Sequence, residues 1–152
     1  MSLTTVSEGD IVAAQFSPEE NYYRARVTSV DIDTYDDTIK NVELFFVDFG
    51  DSESKSITEI FELKSEFLKL KYQAIPCSLA NVRPESGSSW SDQAADLFCR
   101  LSHCALWKSV FVKLVRYNDD NIAEVEMIDT GSGQAEDVNI GAELVNEGVA
   151  KW

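Results

Sequence analysis

Two stretches decide the fold of this chain, Tyr22-Tyr-Arg-Ala-Arg-Val27 and Leu44-Phe-Phe-Val-Asp-Phe-Gly-Asp51. Apolar and polar residues alternate along both, which is the period of a half-buried β-strand. The second stretch runs into a glycine and an aspartate, a pair that predicts a tight turn. Working outward with the same criterion predicts a small barrel of four short strands: Ile11 to Phe16, Tyr22 to Val30, Asn41 to Asp48 and Glu53 to Ile57.

The second half of the chain has a different pattern, which predicts strands mixed with two helices. Trp90, Ala94, Leu97, Phe98 and Leu101 form one apolar stripe of a helix, and Ser89 is the expected N-cap. Further strands are expected at Ile75 to Val82, Ser109 to Tyr117 and Ile122 to Ile128, followed by a helix from Ile140 that ends near Gly148. The predicted class is mainly β with helices (α+β), divided into a barrel core at 8–58, a connector at 59–74 and a second half at 75–152.

The charge of the chain limits its partners. The 152 residues include 27 Asp and Glu against 13 Lys and Arg, a formal net charge of -14. A nucleic-acid backbone would meet a repulsive field and would lose the counterion release that drives most such binding. We therefore expect no direct nucleic-acid binding by this chain, whereas a basic peptide would be attracted to it.

The cysteines and the apolar runs bear on compartment and cofactors. Cys77, Cys99 and Cys104 are odd in number and lack CxxC spacing, which predicts buried free thiols in a reducing compartment and no metal site. No apolar run approaches the roughly 18 residues needed to cross a bilayer. We expect a cytoplasmic chain with no membrane contact of its own and no cofactor.

Aromatic residues collect near the ends of the predicted barrel strands, next to a carboxylate. A guanidinium or alkylammonium ion is attracted to the negative face of an aromatic ring by about 0.5 to 2 kcal/mol per contact, depending on desolvation. Phe16, Tyr23, Phe46 and Phe49 could form the walls of a cage, and Asp51 could accept a charge-assisted hydrogen bond. Phe46 and Phe49 have opposite strand parity, so both reach one pocket only if the strand ends near Asp48 and Gly50 turns the chain.

These segments resemble the extended Tudor family. The resemblance rests on Val12-Ala-Ala-Gln-Phe16, on the two stretches quoted first and on Gln73-Ala-Ile-Pro-Cys-Ser-Leu-Ala80, and it covers nearly the whole chain. Phe46-Val-Asp-Phe-Gly-Asp51 and Leu101-Ser-His-Cys-Ala-Leu-Trp-Lys108 are most similar to the tudor and KH domain-containing (Papi) group.

The resemblance implies a fold and a partner. The fold would be a Tudor barrel joined to a partial staphylococcal-nuclease-like OB fold. The function would be that of a non-catalytic reader, monomeric, which binds the arginine-rich N-terminal peptide of a Piwi-family protein through an aromatic cage in an acidic groove. By motif position the cage is again Phe16, Tyr23, Phe46 and Phe49, with Asp51 where the family usually has asparagine. The resemblance also implies a scaffold role in the piRNA pathway of the germline, with the full-length protein at the mitochondrial outer surface or in germ granules.

Other functions fit the residues less closely. A nuclease would need metal-binding carboxylates and basic residues for phosphate, and basic residues are scarce. His103 is the one histidine and lies beside Cys104, where a capping or surface role is expected. A methyl-lysine reader would use the same rings, and a structural interaction domain would bury all of them. The sequence leaves both alternatives open.

Overall fold

The computed structural model describes residues 3–17, 19–33, 38–104, 106, 108–131 and 136–152. The acidic segment from Asp31 to Thr38 predicts a long turn after the second strand, and four of its residues, 34–37, lie outside this part of the chain. The chain divides into two compact units, with the boundary between Ile75 and Pro76.

The first unit is an antiparallel sheet of five strands. Strands β1 to β5 span Ile11–Gln15, Tyr22–Ile32, Ile39–Phe46, Ser52–Ser56 and Ile60–Glu62. Their order in the sheet is β4-β3-β2-β1-β5. Strand β5 follows β4 after one 3-10 turn, Ile57–Glu59, yet pairs with β1 at the other side of the sheet. The sheet must therefore curl round on itself, which gives the predicted small barrel.

The interior of this barrel is filled from the inward-facing positions of the strands. Its fully enclosed residues are apolar and include two alanines, Ala14 and Ala25, at positions where a larger side chain would fill the space beside the rings. Val12, Val27, Val42, Leu44, Phe46 and Ile60 complete the buried cluster. The alternation of buried and exposed positions confirms the period-two pattern expected from the sequence.

The segment expected to be a connector differs from that expectation. It contains β5, which is a strand of the barrel, and a second 3-10 turn at Ser65–Leu68. Five apolar side chains of the segment are predicted from the sequence to lie across the barrel: Phe61, Leu63, Phe67, Leu68 and Leu70. Phe61 and Leu63 are half-buried, whereas the other three are exposed. The backbone of this segment, rather than its apolar side chains, makes the contacts described below for Arg24.

The second unit combines short strands with two helices. Strands β6 to β11 span Cys77–Leu79, Arg83–Pro84, Phe111–Tyr117, Ala123–Asp129, Val138–Asn139 and Ala150–Lys151. Strand β9 pairs with β8 and β10 in antiparallel and with β6 in parallel, and β7 pairs with β11. Helix α1 is Asp92–Leu101 and helix α2 is Ile140–Asn146. Ala94, Ile140, Leu144, Val149 and Ala150 form the buried core.

The helix ends confirm one sequence expectation and correct another. Gly148 has a φ of +71° just after the end of α2, as expected for a glycine that ends a helix. The N-cap of α1 is Ser91, whose hydroxyl accepts a hydrogen bond from the Ala94 N–H at 3.2 Å, and not Ser89. The helix therefore begins at Asp92, two residues after Trp90, which is the first residue of the predicted apolar stripe.

All three cysteines are free and exposed. The expectation that they are buried was therefore wrong, since α1 turns Cys99 to its polar face and Cys77 and Cys104 lie at surface positions. Within the described ranges, no helix is long and apolar enough to cross a bilayer. Over the same ranges, no three His, Cys, Asp or Glu side chains are grouped so that they could hold a metal ion.

Candidate functional site

The register of the barrel strands brings the predicted ring residues to one end of its interior. Ala14 of β1 pairs with Tyr23 of β2, and Ala25 of β2 pairs with Phe46 of β3. Phe16 lies two residues beyond Ala14, so its side chain has the same inward parity. Tyr23 and Phe46 are diagonal neighbours across β2 and β3, a separation that aromatic side chains span. The small side chains of the two alanines leave this space to the rings.

The four rings form two edge-to-face pairs. Phe16 and Phe46 have ring centroids 5.1 Å apart with an interplanar angle of 73°, and Tyr23 and Phe49 are 5.0 Å apart at 84°. Phe46 is completely enclosed, Phe16 and Tyr23 are half-buried, and Phe49 is 39% exposed. Phe16, Tyr23 and Phe49 therefore expose part of their rings to solvent, whereas Phe46 is enclosed and packs against Phe16. Direct contact between Phe46 and a ligand stays a prediction.

A tight turn redirects Phe49 toward Tyr23. Strand β3 ends at Phe46, and the carbonyl of Phe46 accepts hydrogen bonds from the N–H of Phe49 at 3.1 Å and of Gly50 at 2.8 Å. Gly50 has a φ of +91°, which residues with a Cβ rarely adopt. Its Cβ position would be only in ordinary contact with Ala74, so backbone conformation and not space requires the glycine. The turn expected from Gly50-Asp51 is thus present.

A partly buried ion pair holds this turn in place. Arg24 donates to both carboxylate oxygens of Asp48, from Nε at 2.9 Å and from Nη2 at 2.6 Å. The same guanidinium donates to the carbonyls of Phe67, Leu70 and Lys71. The hydrogen bonds from Arg24 lower the pKa of the Asp48 carboxyl and outweigh the opposing effect of its burial. Because Asp48 lies between Phe46 and Phe49, Arg24 fixes the residue about which the chain turns.

The loop that carries Phe16 is fixed by a second polar cluster. The Ser17 N–H donates to both carboxylate oxygens of Glu53, each at 3.3 Å, and the Lys55 ammonium donates to the Ser17 hydroxyl at 2.9 Å. Lys55 also pairs with Glu53 at 2.8 Å. Burial raises the pKa of Glu53, but the hydrogen bonds from Lys55 and Ser17 outweigh it, so the pKa is lowered. The position after Phe16 is thereby tied to strand β4.

Tyr23 is oriented by a hydrogen bond at the rim of the ring cluster. Its hydroxyl donates to the carboxylate of Glu19, and this bond, with some desolvation, raises the pKa of the phenol. The Glu19 N–H in turn donates to the Phe16 carbonyl at 2.7 Å. Glu19 therefore connects the backbone beside one ring to the hydroxyl of another and places a negative charge next to both.

Asp51 lies at the exposed start of β4. Its carbonyl accepts the Phe46 N–H at 2.8 Å, so its backbone is fixed to the strand end that carries Phe46. Glu19 places a carboxylate at the Tyr23 ring, whereas the Glu53 carboxylate is paired with Lys55. Half-exposed aromatic faces beside a carboxylate are an environment suited to a cation.

Sequence reasoning identified the rings but not the residues that support them. Glu19, Ser17, Glu53 and Lys55 carried no signal by which they could have been chosen. Strand parity predicts that Arg24 and Arg26 pair with nearby acids such as Asp48, and this is confirmed for Arg24 alone. Arg26, two residues along β2, instead lies over the Phe45 ring at 5.5 Å and is exposed.

The chain is similar to known Tudor proteins over nearly its full length. The family model for the Tudor domain matches residues 2–81. The Tudor and KH domain-containing protein of Homo sapiens is 42% identical over 151 residues, which is 96% of this chain and 25% of that protein. This chain therefore spans about a quarter of the length of that relative.

Solved structures agree with the sequence comparison. The extended Tudor domain from BmPAPI in complex with sDMA superimposes with a TM-score of 0.86 at 34% identity, over 98% of this chain and 73% of that one. A variant of the Drosophila melanogaster Papi extended Tudor domain, in complex with an unmethylated Piwi N-terminal peptide, has a TM-score of 0.86 at 30% identity, over 98% and 76%.

Both units of the chain take part in these matches, which confirms the fold expected from the sequence: a Tudor barrel followed by the second half of an extended Tudor domain. Taken with the family model and the identity to the human relative, they show that this chain belongs to the Tudor family, as an extended Tudor domain of the tudor and KH domain-containing group.

Proposed function

We propose that this chain is a non-catalytic reader of arginine-rich peptides, which holds one arginine side chain, methylated or unmodified, at the ring cluster. The observation that carries the proposal is the pair of edge-to-face contacts that leaves Phe16, Tyr23 and Phe49 partly open, with the Glu19 carboxylate on Tyr23. Each ring face contributes about 0.5 kcal/mol when exposed and about 2 kcal/mol when desolvated. Methylation keeps the charge of the guanidinium and adds apolar surface that rings accommodate.

The partner we propose is the N-terminal tail of a Piwi-family protein. A Papi extended Tudor domain that this chain resembles has been solved with unmethylated and with symmetrically dimethylated Piwi N-terminal peptides. A disordered basic tail would be drawn to a chain of net charge -14, and ordering it would offset part of the contact energy. We expect micromolar affinity, about -7 to -8 kcal/mol.

The wider role is also part of the proposal. It comprises a scaffold in the piRNA pathway of the germline, without direct nucleic-acid binding or membrane contact by this chain, which acts as a monomer. The full-length protein would lie in the cytoplasm, at the mitochondrial outer surface or in germ granules. Fractionation of germ cells with detection of the endogenous protein tests this part.

Replacing Phe49 with alanine should weaken binding of an arginine-glycine peptide by about 30-fold, because one desolvated cation–π contact of about 2 kcal/mol is lost. Calorimetry with unmodified, monomethylated and symmetrically dimethylated forms of one peptide measures this. Stability should change little, since Phe49 is 39% exposed.

The chain offers a matched control for Phe49. Tyr22 and Phe61 form another edge-to-face pair, 5.2 Å apart at 90°, and Tyr22 lies on the opposite face of β2 from Tyr23. Tyr22→Ala should leave affinity unchanged. Equal losses in Phe49→Ala and Tyr22→Ala would contradict the cage. A trimethyllysine peptide that binds more tightly than every arginine form would instead favour a methyl-lysine reader.

Asp51→Asn should change the ranking of the three peptide forms. A carboxylate makes hydrogen bonds about twice as strong as those of a neutral amide, and an unmodified guanidinium has more N–H donors than a dimethylated one. We expect the variant to lose about tenfold in affinity for the unmodified peptide and clearly less for the symmetrically dimethylated one.

Glu62→Gln is the control for Asp51→Asn, because it removes one negative charge from an exposed position of β5. It should lower the affinity for all three peptides by the same small factor. If Asp51→Asn also lowers the affinity for all three peptides by the same factor, Asp51 contributes only to the overall negative potential of the chain and does not contact the guanidinium.

A further inference from the structure

The two helices of the second unit end in the same backbone motif. At the end of α2, the N–H of Gly148 donates to the carbonyl of Val145 and that of Val149 to the carbonyl of Leu144. At the end of α1, the N–H of His103 donates to the carbonyl of Arg100 and that of Cys104 to the carbonyl of Cys99, at 3.3 and 2.9 Å. In each helix the residue with a left-handed backbone, Gly148 or His103, donates the first of these two hydrogen bonds, and the residue after it donates the second. This arrangement is the Schellman motif.

The motif brings together the side chains of two residues five apart in sequence. In α2 these residues are Leu144 and Val149, and both are buried in one apolar cluster. In α1 the two corresponding positions are Cys99 and Cys104. The neighbouring Cys104 side chain is the main cause of the raised pKa of Cys99, and slight desolvation and the Asp96 carboxylate add to it. Both thiols are exposed.

Contacts on both sides hold the end of α1 in this conformation. His103 occupies the left-handed position with a φ of +57°, where glycine is usual, and its Nε2 lies 2.7 Å from Oδ2 of Asp129 in β9. The Ser102 hydroxyl donates to the Phe98 carbonyl at 2.7 Å. The backbone on either side of the two cysteines is therefore constrained, and the Cys104 N–H bond to the Cys99 carbonyl, at 2.9 Å, keeps the two residues adjacent whichever rotamers their side chains adopt.

We propose that Cys99 and Cys104 are a dithiol oxidation site, which hydrogen peroxide converts to an intramolecular disulfide across the end of α1. The sulfur of Cys104 attacks one peroxide oxygen, the O–O bond breaks, and Cys104 becomes a sulfenic acid as water leaves. The sulfur of Cys99 then attacks that of Cys104. The S–O bond breaks, the S–S bond forms, and the hydroxyl leaves as a second water with the Cys99 proton. Two thiols lose two hydrogens in total, and a dithiol reductant restores them.

The order of these steps follows from the local charges. The raised pKa of Cys99 disfavours its thiolate, so we assign the first reaction with peroxide to Cys104. The second step is intramolecular between adjacent groups and should be fast. We therefore expect no accumulation of the sulfenic acid in the unaltered chain.

The experiment is oxidation of the reduced protein by hydrogen peroxide, followed by alkylation with N-ethylmaleimide and mass spectrometry. Trypsin does not cleave between Arg83 and Pro84, so Cys77 and Cys99 fall in one peptide, 72–100, while Cys104 lies in 101–108. The Cys77→Ser variant removes this ambiguity. In that variant we expect a mass loss of two hydrogens, no alkylation, and peptides 72–100 and 101–108 joined by a reducible bond.

Single variants test the proposed order. Cys99→Ser should accumulate a dimedone adduct on Cys104 at least about tenfold above the unaltered chain, because no second thiol closes the ring. Cys104→Ser should leave Cys99 alkylated at peroxide doses that oxidise the pair. Far-ultraviolet circular dichroism and thermal unfolding check that each exposed-site variant is folded.

Three results would overturn the proposal. One is full alkylation of Cys99 and Cys104 in Cys77→Ser after a peroxide dose that oxidises free glutathione. Another is a product linked between two molecules in place of the internal bond. The third is equal dimedone labelling of Cys104 with and without Cys99. None of these results bears on peptide binding, so the dithiol site and the proposed reader function stand or fall separately.

Discussion

Replacing Phe46 with alanine is expected to lower the free energy of unfolding by about 4 kcal/mol, the size of change that truncation of an enclosed phenylalanine produces. The side chain is completely buried, and its ring packs edge-to-face against Phe16 at 5.1 Å. Removing it leaves a cavity between strands that are fixed by their backbone bonds and cannot close over it. Urea denaturation followed by fluorescence measures the change.

Phe45 is the matched control, because it precedes Phe46 on β3 and has the opposite parity. It is half-buried, and Arg26 lies over its ring at 5.5 Å. Phe45→Ala should cost about 1 kcal/mol, since much of the ring surface stays in contact with water in the folded chain. Comparable losses in the two variants would show that Phe46 is not at the centre of the barrel core.

The burial of Phe46 also decides how its part in the cage is tested. A loss of peptide binding in Phe46→Ala would not separate a destabilised barrel from a missing ring contact. Phe46→Leu keeps most of the apolar volume and should stay folded, so a loss of affinity in that variant would indicate that the ring itself contacts the cation. Unchanged affinity would limit the binding surface to Phe16, Tyr23 and Phe49.

Replacing Arg24 with alanine is expected to lower the free energy of unfolding by about 3 kcal/mol. Arg24 is 8% exposed and donates to Asp48 and to three backbone carbonyls. Its removal leaves a partly buried carboxylate without its cation and three acceptors without their donor. Water can reach Asp48 from one side, which places the cost at the lower end of the range of about 3–5 kcal/mol for broken buried pairs. Chemical denaturation and thermal unfolding both report it.

Arg26→Ala provides the comparison for Arg24→Ala, since it removes the same charged group two residues along the same strand. We expect a cost of about 0.5 kcal/mol, the usual size for an exposed cation–π contact. If the two arginine variants had the same free energy of unfolding, the contacts of Arg24 with Asp48 and with residues 67–71 would add nothing to the stability of the folded chain. Arg24→Ala should also weaken peptide binding, because Asp48 no longer holds the turn that carries Phe49.

Local sequence predicted most of the regular structure in this chain. Four barrel strands, the two helices and the glycine turns follow from alternation, from the apolar stripe and from the conformational freedom of glycine, which act within a few residues. Strand β5 was missed because Ile60–Glu62 is only three residues long and shows no period. The N-cap of α1 was misplaced because two serines could serve and the local pattern did not choose between them.

Residue type and strand parity were enough to predict the ring residues, and the part of Asp51 in the cage stays a prediction. Their arrangement in two pairs could not, because it depends on which residues of β1, β2 and β3 face one another. Register is a property of paired strands, and no single strand contains it.

Residue type and local pattern were enough to predict the strands, the helices, the side chains that can attract a cation, and the large negative charge. Four features appear only in the folded chain. Phe46 is enclosed, Arg24 connects the turn to the carbonyls of 67–71, Glu53 and Lys55 hold the loop of Phe16, and a backbone hydrogen bond joins Cys104 to Cys99 at the end of α1. Hydrophobic period and helix propensity act between residues that are close in sequence, whereas burial and ion pairing depend on residues that are far apart in sequence, so the chain has to fold before they exist.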